Sequence, residues 1–208
     1  LRDAETTERV RAELLARQRG DGLWAIYEGA EPDLNATVEA YTALRLAGLD
    51  ADAPELDRAQ EFCLARGGIG ATRVFTRIWL SLLGLWSWDE VPLLPAELAM
   101  LPPSSPLSLY TFACWARQTV GALSVVMHYR PVRPIPEERA ARELDLGPVG
   151  AGGPSFWDGV DALLRRYAHS PFKPGREVSL GVAEQWIITR QELDGSWGGI
   201  QPPWVWSV

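Results

Sequence analysis

Apolar residues recur along most of this chain at three- and four-residue steps, the spacing that lines one face of a helix. The pattern predicts helices near residues 7–18, 35–48, 54–66, 73–86, 107–128, 156–168 and 177–190, with Asn35 and Asp158 as first-turn or cap residues. Alternating strand patterns are scarce. Pro and Gly mark the joints, as in "LDADAP", "ARGGIG" and "PLLPAELAMLPPSSP". A longer joint, Arg130–Pro154, predicts a mobile loop or a crossing between domains. The run "PLSLYTFACWARQTVGALSVVMHY" is long enough to span a bilayer. Arg117 and Gln118 stand in its middle, where an arginine costs about 2.5–3.5 kcal/mol, so it reads as a buried helix.

Within this rhythm lies a repeat. "LLARQRGDGLW", Leu14 to Trp24, and "IITRQELDGSW", Ile187 to Trp197, share apolar-apolar-x-Arg-Gln-x-x-Asp-Gly-x-Trp. Each follows a helical segment. The helix is expected to end at Gln18 or Gln191, and the Asp-Gly supplies a positive-φ turn that stops it. Trp24 or Trp197 then returns over the turn. Its indole covers the glutamine amide, which ties off backbone groups left unpaired at the helix end. Helix pairs joined by such corner clamps predict an all-α fold, an α/α toroid of helix hairpins.

Composition narrows the function. With 27 acidic and 20 basic residues the formal charge is −7, which argues against nucleic acid as a partner because no phosphate-neutralising excess exists. Cys63 and Cys114 are far apart, each in an apolar helical stretch, and read as two buried thiols. His128 and His169 lie away from both, so zinc spacing is absent and no metal is expected. No basic and apolar leader is visible. Ten tryptophans are the anomaly. They suit core filling, and equally a protein that handles an apolar ligand or a cation.

The two Gln…Trp clamps, with "RVFTRIWLSLLG", "WARQTVGALSVVM" and "DGSWGGIQPPW", resemble the squalene-hopene cyclase family of class II terpene cyclases over essentially the whole chain. Members of that family are much longer, and the match is to their amino-terminal part. The resemblance implies that residues 1–154 belong mostly to an inserted second α-barrel domain. Residues 155–208 are then the return segment and the start of a truncated catalytic barrel. It further implies conversion of squalene, or a related polyprenoid, to hopene or hopanol by protonation and successive ring closure of a cation. No cofactor or metal takes part. The family's acid is an aspartate of an Asp-x-Asp-Asp motif, which these 208 residues lack. The acid is therefore expected in the remainder of the parent polypeptide, and this chain alone is expected to be inactive. The family is monotopic, which implies a peripheral location on the cytoplasmic side of a membrane; a homodimer stays open.

Carried over residue by residue, the resemblance makes Trp115 a cavity-lining tryptophan and Ile200, Gln201 and Pro202 a wall segment whose glutamine helps hold ordered water. Phe112 and Val120 match the constriction of the substrate channel. Glu39, Arg73 and Trp79 match polar and aromatic positions near the cavity end that act through a water network. Aromatic faces suit this work because they are inert yet attract a cation by about 0.5–2 kcal/mol each. Without the resemblance, Phe112, Trp115 and Val120 at helical spacing read as core, and Glu39 and Arg73 as an ordinary ion pair or solvated charges. In "GPSFWDGVDALLRRYAHSPF", Phe156, Trp157, Val160, Leu163, Leu164 and Tyr167 follow helical steps. They fit either an interfacial helix on a membrane or packing against a neighbouring barrel. A binding module of toroid shape, holding a lipid or protein without catalysis, is the alternative function; a zinc prenyltransferase subunit lacks its ligand set here.

Overall fold

The computed structural model describes residues 3–105, 108–149 and 156–197, with the side chains of Trp115, Phe156, Trp157, Asp158 and Val160 also left aside. Among the described residues there are seven α-helices and no strand: α1 (Ala4–Ala16), α2 (Leu34–Leu46), α3 (Pro54–Ala65), α4 (Val74–Leu82), α5 (Cys114–Tyr129), α6 (Phe156–His169) and α7 (Arg176–Ile188). They fall into two compact units, Leu1–Val91 with Val132–Gly152 and Pro92–Pro131 with Gly153–Val208. Local chemistry starts the helices. The Asp3 carboxylate accepts from Glu5 N and Thr6 N before α1, and Asp33 accepts from Ala36 N at 2.8 Å before α2. Pro54 opens α3, where its missing N–H would be an orphan in any case. Asn35 sits in the first turn of α2, two positions after the cap that Asp33 provides.

In the first unit, Val38, Tyr41 and Leu44 of α2 are fully buried against α3, which contributes Leu56, Ala59 and Cys63. Each large aliphatic side chain removed from water here stabilises by about 1.5–3 kcal/mol. Burial also pushes the Cys63 thiol up to about 12. Helix α4 stops four residues short of the expected end at 86, because Gly84 takes φ 74 and Leu85 N bonds to Leu80 O at 2.8 Å.

Of the two readings of Arg130–Pro154, a mobile loop or a crossing between domains, the unit boundaries at 131/132 and 152/153 agree with the crossing, and residues 132–149 are packed on the first unit. Ala140, Ala141 and Leu144 are buried, and short 3₁₀ turns run over Glu137–Arg139 and Arg142–Leu144. A polar clamp holds this stretch down. Buried Arg45 of α2 bonds through Nε to Glu143 Oε1 at 3.0 Å and through Nη2 to Glu138 O at 3.0 Å, while the Tyr41 hydroxyl donates to the same Glu143 oxygen at 2.7 Å. Burial, then the Glu143 carboxylate, raises the Tyr41 pKa and keeps it a donor. The close fit also explains Gly70, where a Cβ would lie 2.3 Å from Gly147 O.

In the second unit, α5 and α7 pack together and on a 3₁₀ turn, Ala96–Met100. Leu123 and Met127 face Leu180, Ala183 and Ala96 in the core. Gly121 of α5 faces the Trp186 ring, 3.5 Å from where a Cβ would stand, an ordinary contact distance. Helix α5 begins at Cys114, later than the expected 107, because Leu109–Thr111 form a 3₁₀ turn followed by extended Phe112 and Ala113. Arg117 fastens that turn, donating to Leu109 O at 3.2 Å and Phe112 O at 3.1 Å. Its charge is thus spent within the unit, and no described helix is long and apolar enough to cross a membrane. Cys114 at the start of α5 is exposed, against the expectation of two buried thiols, because the first residues of α5 lie outside the core.

Candidate functional site

The two clamps have the same hydrogen-bond pattern. Gln18 Nε2 donates to Gly22 O at 2.9 Å and Gln191 Nε2 to Gly195 O at 3.1 Å. Trp24 Nε1 donates to Leu14 O at 2.9 Å and Trp197 Nε1 to Ile187 O at 2.8 Å, each a carbonyl of the last helical turn. The labour is therefore divided differently from the sequence expectation: the indole, not the amide, satisfies the helix end, and the amide closes the turn. The helices end at Ala16 and Ile188, before the glutamines. Gly22 (φ 81) and Gly195 (φ 85) close the later turn. Asp21 and Asp194 brace it by accepting from Leu23 N and Ser196 N. Both are held below the usual carboxylate range, Asp21 chiefly by Arg19 and Asp194 chiefly by the Ser196 N–H. Gln18 also donates to Glu55 O at 2.7 Å, which ties the first clamp to α3.

In the first unit the structure joins Glu39 and Arg73. Arg73, immediately before α4, reaches α2 with Nη2 3.1 Å from Glu39 Oε1. Two residues not among the expected site residues complete the corner. Fully buried Thr76 donates to Glu39 Oε1 at 2.5 Å and accepts from Arg73 Nε at 3.3 Å, and Asn35 Oδ1 accepts from Arg73 N at 2.7 Å. Their spacing was the available signal: Asn35 is one helical turn before Glu39, and Thr76 one turn after Arg73. Trp79 is 39% exposed, next to 40% exposed Phe75 on the helical lattice, so α4 carries an aromatic face beside the charged corner.

In the second unit Phe112 is 40% exposed and stands before α5, out of the helical register assumed from the sequence. Val120 is half-buried on α5, and the backbone of Trp115 lies in its first turn. Ile200, Gln201 and Pro202 lie outside the described residues. The tryptophan excess is largely structural where it is described: Trp24, Trp86, Trp88 and Trp197 are buried, Trp186 is half-buried and Trp79 is exposed. No group of three His, Cys, Asp or Glu among the described residues is placed to hold a metal ion.

A second polar cluster lies under α6. Glu97 Oε1 receives the Tyr167 hydroxyl and Arg176 Nε, each at 2.6 Å, and Arg176 Nη1 is 3.1 Å from His128 Nδ1. Burial opposes ionisation of Glu97, but the Tyr167 and Arg176 bonds together outweigh it and lower its pKa. His128 is lowered by burial and then by Arg176. Leu164 and Tyr167 line this small cavity, whereas Leu163 is 67% exposed. The apolar positions of α6 are thus divided between two faces, because the Tyr167 hydroxyl finds its acceptor inside the unit.

Residues 1–208 match the family described as the squalene-hopene cyclase N-terminal domain. The chain belongs to the squalene-hopene cyclase family. It is 43% identical over 213 residues to a squalene–hopene cyclase of Alicyclobacillus acidocaldarius, covering 99% of this chain and 34% of that protein. It is 36% identical to a squalene hopane cyclase of Aspergillus fumigatus, over 91% of this chain and 28% of that protein. A dammaradiene synthase of Dryopteris crassirhizoma is 33% identical, over 90% and 29% respectively. The chain therefore spans about a third of the length of the curated relatives it matches. Squalene-hopene cyclase membership agrees with the all-helical architecture of the described residues.

Proposed function

We propose that this chain is the N-terminal part of a triterpene cyclase that converts squalene to hopene or hopanol, supplying cavity wall and substrate channel while the protonating acid lies elsewhere in the parent polypeptide. The observation that carries the reading is the 43% identity to a squalene–hopene cyclase across 99% of the chain. In this arrangement residues 1–154 belong mostly to the inserted barrel and 155–208 lead back toward the catalytic one.

The roles follow from the needs of a carbocation. A cation in a dry site is quenched by any stray water or nucleophile, so its wall must be inert and electron-rich. Trp115, Phe112 and Val120 serve as wall and channel, with Ile200, Gln201 and Pro202 as a further wall. The last cation must lose a proton or capture water, which needs an acceptor held at one end of the cavity. Gln201 helps hold an ordered water for that step, and Glu39, fixed by Arg73 and beside the exposed Trp79, orients it through a water network. An apolar substrate has to be collected from a bilayer, and α6 offers exposed Leu163 and Arg166, followed by exposed Phe172, as a peripheral contact.

Incubating the parent polypeptide with squalene in detergent and analysing the extract tests the reading: polycyclic triterpene is expected, and its absence overturns the assignment. The 208-residue chain alone should give none above a no-protein control. An isolated alkene is a very weak base, and exposed carboxylates, ionised near neutral pH, do not protonate it. Product from the short chain would show that the acid lies within it.

A further inference from the structure

We propose that Thr76 is a positioning residue for Glu39, fixing one carboxylate oxygen so that the other is presented to whatever occupies the site. The inference rests on the proposed role of Glu39 in the cyclase reaction and adds to it the residue that aims the carboxylate.

Thr76 is fully buried in the first turn of α4, and a buried hydroxyl must find partners. The cheap solution in a helix is the carbonyl four residues back. Ser81 takes it, donating to Arg77 O at 2.9 Å, and Ser179 does the same with Gly175 O at 2.8 Å. Thr76 instead donates across to α2, to Glu39 Oε1 at 2.5 Å, and accepts from Arg73 Nε at 3.3 Å. Its single proton is therefore committed to Glu39, and its lone pair is used by the arginine. The hydroxyl sits between acid and base and sets their relative orientation.

The two carboxylate oxygens are consequently unequal. Oε1 takes both the Thr76 hydroxyl and Arg73 Nη2 at 3.1 Å, whereas among the described residues Oε2 meets only the same Nη2 at 3.5 Å. Oε2 keeps its acceptor capacity for a water molecule or a ligand hydroxyl. An ion pair between side chains 39% and 52% exposed would, by itself, wander among several geometries. The buried hydroxyl, anchored by its helix, removes that freedom. Asn35 anchors the other partner through the Arg73 backbone N–H.

The choice between losing a proton to an oriented water and capturing that water depends on where the acceptor stands, so the ratio of hydrocarbon to alcohol product reads the aim of Glu39. That ratio is set by the folded molecules alone and does not change with how much enzyme folds. The experiment uses the full-length parent with squalene, comparing Thr76→Val, Thr76→Ser, Thr76→Ala, Glu39→Gln and the Thr76→Val/Glu39→Gln pair, with thermal midpoints measured alongside. Thr76→Val and Thr76→Ala should move the ratio by roughly threefold to tenfold, the size expected for losing an ordinary net hydrogen bond. Thr76→Ser should stay within about twofold of the parent because it keeps the donor. The double variant should match Glu39→Gln, since Thr76 acts only through that carboxylate. If Glu39→Gln shifts the ratio while Thr76→Val and Thr76→Ala leave it unchanged, or if Thr76→Ser shifts it as far as Thr76→Val, Thr76 does not position Glu39. If Glu39→Gln leaves an active parent unchanged, the role assigned to Glu39 falls and the inference with it. A parent that makes no triterpene removes the functional reading itself.

Discussion

Replacing Arg45 by Met should cost more stability than removing either of its polar partners. Arg45 is the hub of the clamp that holds residues 138–144 on α2. Its side chain is 7% exposed, it pairs with Glu143, and it donates to Leu49 O at 2.5 Å and Glu138 O at 3.0 Å. Glu143 is 21% exposed and can recover some hydration once alone. Breaking a buried pair from one side costs about 3–5 kcal/mol, and Arg45→Met also strands carbonyls worth about 1 kcal/mol each, so the upper part of that range is expected. Glu143→Ala leaves Arg45 with its carbonyl partners and should cost roughly 2–3 kcal/mol. Tyr41→Phe, losing one bond to a carboxylate, should cost about 1.5 kcal/mol. A Glu143→Leu/Arg45→Met pair should not return to parental stability, because the carbonyls have no apolar substitute. Urea unfolding followed by circular dichroism and tryptophan fluorescence measures all four. An Arg45→Met loss below about 1 kcal/mol, or a fully stable pair, would refute the view that this arginine anchors the segment through the backbone.

Gly70→Ala should lower the thermal midpoint, since its Cβ would approach Gly147 O to 2.3 Å, while Gly20→Ala, with nothing within 4 Å, should leave the midpoint unchanged; equal midpoints would refute the tight approach. Gln18→Ala should cost roughly 1–3 kcal/mol in chemical unfolding by severing the bonds to Gly22 O and Glu55 O; no loss would refute the clamp. Acid should destabilise the second unit in two stages. His128 has a lowered folded pKa, so its neutral form is favoured and stability falls as pH drops below the unfolded value near 6.5. Glu97 is also lowered, so the stability it contributes is present above the ordinary carboxylate range and is lost as pH falls through its folded pKa. Unfolding midpoints against pH for the parent, His128→Gln and Glu97→Gln check this, and a His128→Gln profile identical to the parent between pH 7 and 5 would refute the first stage.

The helices were legible because periodicity is local, as the fully buried Val38, Tyr41 and Leu44 of α2 show. Boundaries failed where a distant or unusual contact decides them. Gly84 ends α4 inside an apolar run that continues to Trp86, and Arg117 reaches back to hold Leu109–Thr111 out of α5. The packing of 130–149 was hidden because its proline, glycine and charge read as a loop, while the decisive partners, Arg45 and Glu143, are 98 positions apart. At the candidate site, Glu39 and Arg73 were found through resemblance, since a lone Glu and Arg on different helices carry no local signal. Thr76 and Asn35 were missed because a threonine and an asparagine in first turns are commonplace until a partner across the fold is seen.

Glu39 and Arg45 stand six positions apart on α2, and the comparison shows how one helix supports two kinds of ion pair. Arg45 meets Glu143 in a pair 7% and 21% exposed, and its other donors are taken up by backbone carbonyls. Such a group spends its donors on the fold. Glu39 meets Arg73 in a pair 39% and 52% exposed, with Oε2 held only at 3.5 Å. An exposed pair adds little stability, and the groups around it answer needs of their own: the buried Thr76 hydroxyl requires an acceptor, and the Arg73 N–H at the start of α4 finds one in Asn35. What sets Glu39 apart from Glu143 is that it and its charge partner both stay partly open to solvent, as the role proposed for it in the cyclase reaction requires. The difference predicts that substitutions around Arg45 register in unfolding, and those around Glu39 in the products of the complete enzyme.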